Sequence, residues 1–372
     1  MYKFNILYIL PGPIFDAGSE IFQKRFICLS KYLRGYIFTT STLSEHIKIG
    51  DFEYLSCPRN NFFLNLRLLV FCVQKTLSLR MNKEKIDCII TYDPLKTGLI
   101  GSIIKLLLNA KLIVEVNGVY TSQVVWIDGK KCFVNSMKKF LTPLIMRFVF
   151  QRADGIYLLF PTQIDHFKKS LRGKSIVSFP CWVPTEFFHN KMEKKEILFA
   201  GFPFKIKGVD ILIKAFKKIA PQYPDWTLKI LGWFPDTTEL YAAIDSHPQI
   251  YHHPPVNYSE MPKHIGECGI FVLPSRTEAM GRVLVEAAAA GKPRIGSNVD
   301  GIPTVIENGV DGYLVEPENV DELASKMSLL MGDKSLRERI GFAAALRAKN
   351  EFSEDCYIRN TMQFYKNVVA TD

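Results

Sequence analysis

Short apolar runs rich in Ile, Val and Leu recur along the whole chain, and stretches with helical spacing separate them. This alternation constrains the fold more than any other feature. Strand, helix, strand in succession makes a βαβ unit, and a series of such units makes a parallel sheet covered by helices. In the first half, strands are expected at Asn5–Leu10, Tyr36–Thr39, Cys88–Thr91, Lys111–Val116 and Gly155–Phe160. Helices are expected at Glu20–Leu33, Asn61–Lys85, Lys96–Leu108 and Ser136–Arg152. The polar, lysine-rich stretch from His189 to Glu196 breaks the pattern and reads as a linker. A second series follows, with strands at Ile197–Gly201, Thr227–Leu231, Ile270–Leu273 and Arg294–Gly296. Its helices are expected at Val209–Ala220, Glu239–Ser246 and Arg282–Ala290, with a helical tail from Val320 onward. At 372 residues the chain has the length of two doubly wound α/β domains. Ligands of such sheets bind beyond the carboxyl ends of the strands, so a cleft between two facing domains is the expected site.

Charge separates the two halves. Residues 1–190 carry 25 Lys+Arg and 13 Asp+Glu, an excess of +12, whereas residues 191–372 carry 22 and 24. A one-sided field of this kind points to an anionic partner on the first half. Its strongest expression is in two stretches that mix bulky apolar residues with cations: FFLNLRLLVFCVQKTLSLR, and MKKFLTPLIMRFVFQR with Lys138, Lys139, Arg147 and Arg152. They read either as core helices with a solvated cationic face or as helices that lie on an anionic bilayer. No apolar run reaches the length of a spanning helix, and MYKFNILYILPGP reads as a first strand rather than a signal peptide. The eight cysteines never form C-x-x-C, which favours reduced thiols and a cytoplasmic protein. Neither His252-His253 nor any other histidine has metal-ligand spacing.

The segment Leu273–Gly291, LPSRTEAMGRVLVEAAAAG, carries the most chemistry. A strand ends, a loop brings Glu278, and a helix begins near Gly281 with Glu286 about one turn inside. The N–H groups of Met280, Gly281, Arg282 and Val283 at a helix start form an anion site, and glycine permits close approach of a phosphate. Glu278 and Glu286 then bracket a bound diphosphate and accept hydrogen bonds from hydroxyls on either side. The bland alternative is a capping acid and a surface glutamate.

This segment resembles the Glu-(seven residues)-Glu signature of retaining glycosyltransferases with the GT-B fold, glycosyltransferase family 4. AGFPFKIKGVDILIKAF, with Lys207-Gly208, is similar to the family's strand–loop–helix. GKPRIGSNVDGIPTVIENGVDGYLVEP and NEFSEDCYIRNTMQFYKNV agree with it in order and spacing, so the resemblance covers 197–372. Over 1–190 it is weaker, resting on strand order, Gly18-Ser19-Glu20 and Val114–Gly118. The resemblance implies two Rossmann-like doubly wound parallel-sheet domains facing a central cleft, GT-B. Residues 1–190 would bind the acceptor, 191–350 the nucleotide sugar, and 351–372 would form a helix crossing back to the first domain. It implies metal-independent transfer from a UDP-, GDP- or ADP-linked sugar, with no cofactor, to a glycan or lipid-linked acceptor. Glu286 would bind the ribose, Glu278 a sugar hydroxyl and Lys207 the diphosphate, with the Gly18 turn and the backbone around Gly281 completing the cradle. Arg276 and Ala279 on the same loop join the donor-binding set.

Two positions depart from the family pattern. Phe202 stands where many members have a second phosphate-binding arginine, and Lys205 is the nearest substitute. Asn117 stands where members often have histidine; it can hydrogen-bond a hydroxyl but cannot titrate. Glu115, two residues earlier, reads as a strand-end residue rather than a base. The favoured reading is a retaining glycosyltransferase of surface polysaccharide synthesis, docked on the inner face of the cytoplasmic membrane. Its rivals are a nucleic-acid-modifying glucosyltransferase, a sugar-nucleotide epimerase of the same fold, and an inactive binding protein.

Overall fold

A computed structural model of the chain describes residues 3–12, 17–58, 64–120, 133–171 and 173–370. Two compact units divide it: one takes Met1–Thr121, Lys131–Phe179 and Ile358–Asp372, and the other takes in Pro180–Tyr357. The division therefore falls near Phe179 rather than in the lysine-rich stretch at 190. Trp182, Val183 and Phe188 are buried, the Phe188 ring meets Tyr258 at 6.0 Å, and Lys191 N–H donates to the Gly266 carbonyl. The polar stretch thus follows a segment already packed on the second unit.

The first unit runs β1 (Phe4–Ile9), α1 (Glu20–Leu29), β2 (Leu33–Ser41), β3 (His46–Ile49), β4 (Phe52–Pro58) and α2 (Leu64–Met81). It continues β5 (Cys88–Thr91), α3 (Lys96–Leu108), β6 (Lys111–Val116), α4 (Phe133–Arg152), β7 (Gly155–Leu158) and β8 (Ser175–Ser178). The sheet order is β3-β4-β2-β1-β5-β6-β7-β8, parallel except for the β3/β4 pair. Those two strands were not anticipated, because β3 exposes three of its four residues and shows no apolar run. The first helix ends at Leu29, where the Ser30 hydroxyl turns back on the Phe26 carbonyl, and Leu33 already opens β2. Leu7, Ile9, Ile89, Leu112 and Val114 are fully shut from solvent and form the sheet's core. Of the sequence features singled out above, one of the eight cysteines, Cys132, and the first residues of Asn61–Lys85 lie outside the described residues, as does the Lys138 side chain.

The second unit runs β9 (Glu196–Ala200), α5 (Val209–Ile219), β10 (Thr227–Leu231), α6 (Thr238–Ile244), β11 (Ile250–His253) and α7 (Met261–Glu267). Then come β12 (Ile270–Leu273), α8 (Arg282–Ala289), β13 (Arg294–Ser297), β14 (Tyr313–Val315), α9 (Val320–Gly332), α10 (Lys334–Glu351) and α11 (Glu354–Ala370). Its six strands are all parallel, in the order β11-β10-β9-β12-β13-β14. Strand order reverses between β9 and β12, the switch point where a doubly wound sheet opens a crevice at its carboxyl edge. From Ile358 the last helix belongs to the first unit. There Tyr365 and Tyr8 share a hydrogen bond of 3.2 Å, and a Cβ at Gly155 would meet Val368 at 2.6 Å. Among the described residues no helix is long and apolar enough to cross a membrane, and no disulfide joins the cysteines.

Candidate active site

The loops after β9 and β12 meet at the switch point of the second unit. Gly208 holds a left-handed conformation (φ +67°), and a Cβ there would lie 2.0 Å from the Pro274 carbonyl oxygen. Only glycine lets the two loops close, which is the physical content of the Lys-Gly pair. Arg276 N–H then donates to the Ile206 carbonyl at 2.8 Å. This contact sets Lys207 Nζ 2.5 Å from Glu278 Oε2, with both side chains largely buried. The Glu278 end is fixed in turn by Asp300, which accepts from Glu278 N–H at 3.1 Å and from the Thr277 hydroxyl at 2.5 Å. Gly301 closes over the same loop: a Cβ there would sit 1.9 Å from the Ala279 carbonyl oxygen. Gly301-Ile302-Pro303 is therefore a packing requirement of the Glu278 loop.

Gly281 begins α8 in the left-handed region (φ +80°). Met280 is enclosed, so only its backbone can face a ligand, while Arg282 is exposed and Val283 half-buried. Glu286, in the second turn, is 2% exposed. Its Oε1 accepts from Tyr258 O–H at 2.7 Å, and Arg282 approaches to 3.8 Å. Its Oε2 is buried with no hydrogen-bond partner. Burial pushes the Glu286 carboxyl above the usual carboxylate range, against the opposing pull of Arg282 and of Tyr258. A carboxylate oxygen shut from water without a donor is costly unless a ligand supplies one. Tyr258 was not anticipated. The signal nearest to it is the capping box Asn257-x-x-Glu260, which shapes the turn that presents its ring.

Arg276 takes a different part from the one expected. Its donors go to both oxygens of Asp210, at 2.8 and 3.0 Å, to Glu318 and to the Lys205 carbonyl. All five N–H groups are thereby used, and Arg276 is a strut between loops rather than a ligand contact. Burial raises the Asp210 carboxyl, but the Arg276 hydrogen bonds and charge outweigh it and hold it below its ordinary range. Lys205 lies 3.6 Å from Asp210 and 3.7 Å from Glu239. The substitute for the missing second phosphate cation is therefore already faced by two carboxylates.

Gly18 and Asn117 belong to the first unit. Gly18 is exposed before α1, and the loop ahead of it lies outside the described residues. Asn117 follows β6 and donates from Nδ2 to the Tyr92 carbonyl and to Glu115 Oε2, each at 3.0 Å. Glu115 is buried, with Arg25 at 3.9 Å, and desolvation pushes its carboxyl up. It is an internal partner of Asn117. The described residues hold no group of three His, Cys, Asp or Glu side chains arranged for a metal ion.

Two parallel sheets of this kind, the second with a Lys–Glu pair at its switch point, define a protein of the GT-B fold. Solved structures agree: sucrose-phosphate synthase from Thermosynechococcus elongatus superposes with a TM-score of 0.81 over 99% of this chain and 100% of that one, at 16% identity. Anabaena Alr3699/HepE, solved in complex with UDP, gives a TM-score of 0.73 over 98% and 100%, at 15% identity. Residues 185–347 match the family model of glycosyl transferases group 1. An uncharacterised glycosyltransferase of Haemophilus influenzae is 30% identical over 183 residues, 48% of this chain. The capsular polysaccharide biosynthesis glycosyltransferase CapM of Staphylococcus aureus is 31% identical over 180 residues, 44% of this chain. These alignments span about half of the relatives, 50% and 46% of their respective lengths.

Proposed function

We propose that the chain transfers a sugar, with retention of configuration, from a nucleoside diphosphate donor to a glycan or lipid-linked acceptor of surface polysaccharide synthesis. The observation that carries this reading is the orphaned, buried Oε2 of Glu286, one turn inside a helix whose start faces the Lys207–Glu278 pair. A ribose hydroxyl supplies the missing donor to Glu286. The diphosphate draws the Lys207 ammonium from Glu278 and lies against the start of α8, while Glu278 accepts from a hydroxyl of the transferred sugar. Charge that develops on the departing phosphate oxygens meets a fixed ammonium and aimed N–H dipoles, which does the work of a metal ion. The UDP complex of Anabaena HepE supports a uridine donor as the first to test, and CapM supports a capsular type of product.

The membrane side of the reading rests on the first unit. Helices α2, α3 and α4 carry nine Lys and Arg and no Asp or Glu. They are laced side by side: Arg80 donates to the Leu107 carbonyl and Lys105 to that of Arg152. On them Leu66, Met81, Leu106, Phe140, Leu144 and Phe148 are all more than 40% exposed. Bulky apolar residues among cations, on helices that carry no acid, suit an anionic lipid surface, where each Lys or Arg contributes about 1 kcal/mol. The apolar residues argue for lipid over non-specific binding of duplex nucleic acid, which rests almost wholly on charge.

The test is a melting-temperature screen with UDP, GDP and ADP and their sugars, repeated on Glu286→Ala. One nucleotide should stabilise the wild type and leave the variant unmoved. An equal shift in a folded Glu286→Ala protein would remove Glu286 from the donor site and the reading with it.

A further inference from the structure

Strands β9 and β10 are neighbours, and both run out into aromatic residues: Gly201-Phe202-Pro203-Phe204 after β9, and Gly232-Trp233-Phe234 after β10. The two exits are pressed together, since a Cβ at Gly232 would lie 2.4 Å from the Gly201 carbonyl oxygen. The rings of Phe202 and Trp233 consequently meet at 5.2 Å, tilted by 51°. Phe234 supports them from within: it is 6% exposed and its ring lies 6.5 Å from that of Phe202. The two front rings nevertheless stay open, Phe202 at 41% and Trp233 at 57% exposure. On the same loop Lys205 lies 5.4 Å from the ring of Phe204, which meets Phe234 at 6.1 Å, and forms a solvent-facing ion pair with Glu239 at 3.7 Å. Phe202 occupies the place of the arginine expected from the family pattern, so the phosphate subsite does not account for this surface.

We propose that Phe202 and Trp233 form a platform for a pyranose ring of the acceptor glycan, with Lys205 and Glu239 serving its hydroxyls. The inference rests on the glycosyltransferase reading above. A pyranose presents a face of C–H groups, which packs on an aromatic ring, and a rim of hydroxyls that need both donors and acceptors. An open ring pair edged by an ammonium and a carboxylate meets both demands. Two rings at 51° leave one open face rather than a slot between parallel rings. One loop also serves two neighbours. Phe202 turns to the β10 side, and Lys207, five residues on, pairs with Glu278 on the β12 side. An acceptor ring on the platform is thereby tied through a few backbone bonds to the cation proposed for the donor phosphate.

The experiment uses the full chain and tryptophan fluorescence. Trp182 and Trp226 are buried, so Trp233 is the exposed reporter among the described residues. Methyl glycosides and trisaccharides of glucose, mannose and N-acetylglucosamine are titrated, with UDP, GDP and ADP melting shifts measured in parallel. At least one sugar should change the emission of the wild type. Phe202→Ala, read by fluorescence, and Trp233→Leu, read by saturation-transfer NMR, should weaken that sugar tenfold or more while the nucleotide shift stays intact. Sugar binding unchanged in both variants overturns the proposal. So does a nucleotide shift in the wild type with no sugar bound, an outcome that leaves the donor reading standing. A nucleotide shift lost in Trp233→Leu while sugar binding persists would assign the rings to the donor's base. Sugar bound by the wild type through these rings with no nucleotide shift would instead leave the platform and sink the donor reading.

Discussion

In the second unit the cations near the strand ends have carboxylate partners: Lys207 with Glu278, Arg276 with Asp210 and Glu318, and Lys205 with Asp210 and Glu239. Deeper in the same unit Arg294, fully buried, is held by Asp311, which Arg347 shares. In the first unit α2, α3 and α4 hold cations without a single acid of their own, and Lys105 pairs with Asp154 from the turn after α4. Paired charges are directional and short-ranged, and they fix loops and wait for one ligand group. Like charges gathered on a broad apolar face act together over a Debye length and are screened by salt. On the proposed function, one chain would offer a selective contact for a small anion and an unselective one for an extended surface.

The comparison is broken most severely at Glu286. Each hydrogen bond from a hydroxyl to its buried carboxylate is worth about 1.5–3 kcal/mol. With two ribose hydroxyls, Glu286→Ala should lower nucleotide affinity by about 10²–10⁴-fold. Calorimetry reads it, and liposome binding should be untouched. Lys207→Met should cost about 10²–10³ in turnover, measured as nucleoside diphosphate release, the scale for removing one transition-state contact. If Lys207 were only the structural partner of Glu278, the variant would lose stability and keep its rate per folded molecule.

The first unit answers to other variants. Lys139→Ala with Arg147→Ala should weaken sedimentation with phosphatidylserine vesicles by about 2 kcal/mol, roughly thirtyfold, and salt should have a similar effect. Nucleotide melting shifts should not change. Vesicle binding indifferent to both salt and the variant would remove the charge contrast as an explanation.

The smallest effect concerns pH. Burial raises the Glu286 carboxyl, so between the ordinary value and the raised one the folded, ligand-free protein holds a proton that the unfolded chain has lost. The stability from this group is therefore greatest at low pH and falls as pH rises through that window. Hydroxyl donors favour the ionised form, so UDP affinity should climb with pH over the same window, with proton release on binding. Titrations in buffers of different ionisation enthalpy check the sign; proton uptake would contradict it.

Much of the fold was legible because parallel strands buried on both faces read as continuous apolar runs. Strand β3 was not, since an exposed edge leaves no such run. At the site, Glu278, Gly281 and Glu286 stand out through helix-start spacing, and Lys207 and Gly208 through the resemblance of their segment to the family's strand–loop–helix. Tyr258, Asp210 and Glu318 could not, because their partners lie 28, 66 and 42 residues away and only the fold brings them together. The same distance effect turned Arg276 from an expected ligand contact into a strut.

The final helix carries a consequence for how the protein is made. Tyr365, Phe364 and Val368 complete packing around Tyr8 and Gly155, though some 357 residues separate Tyr365 from Tyr8. During synthesis the first unit leaves the ribosome early yet waits, unfinished, until the second has been translated and the last helix arrives. A nonsense mutation or a degradation signal that removes the end of the chain would therefore strike its beginning.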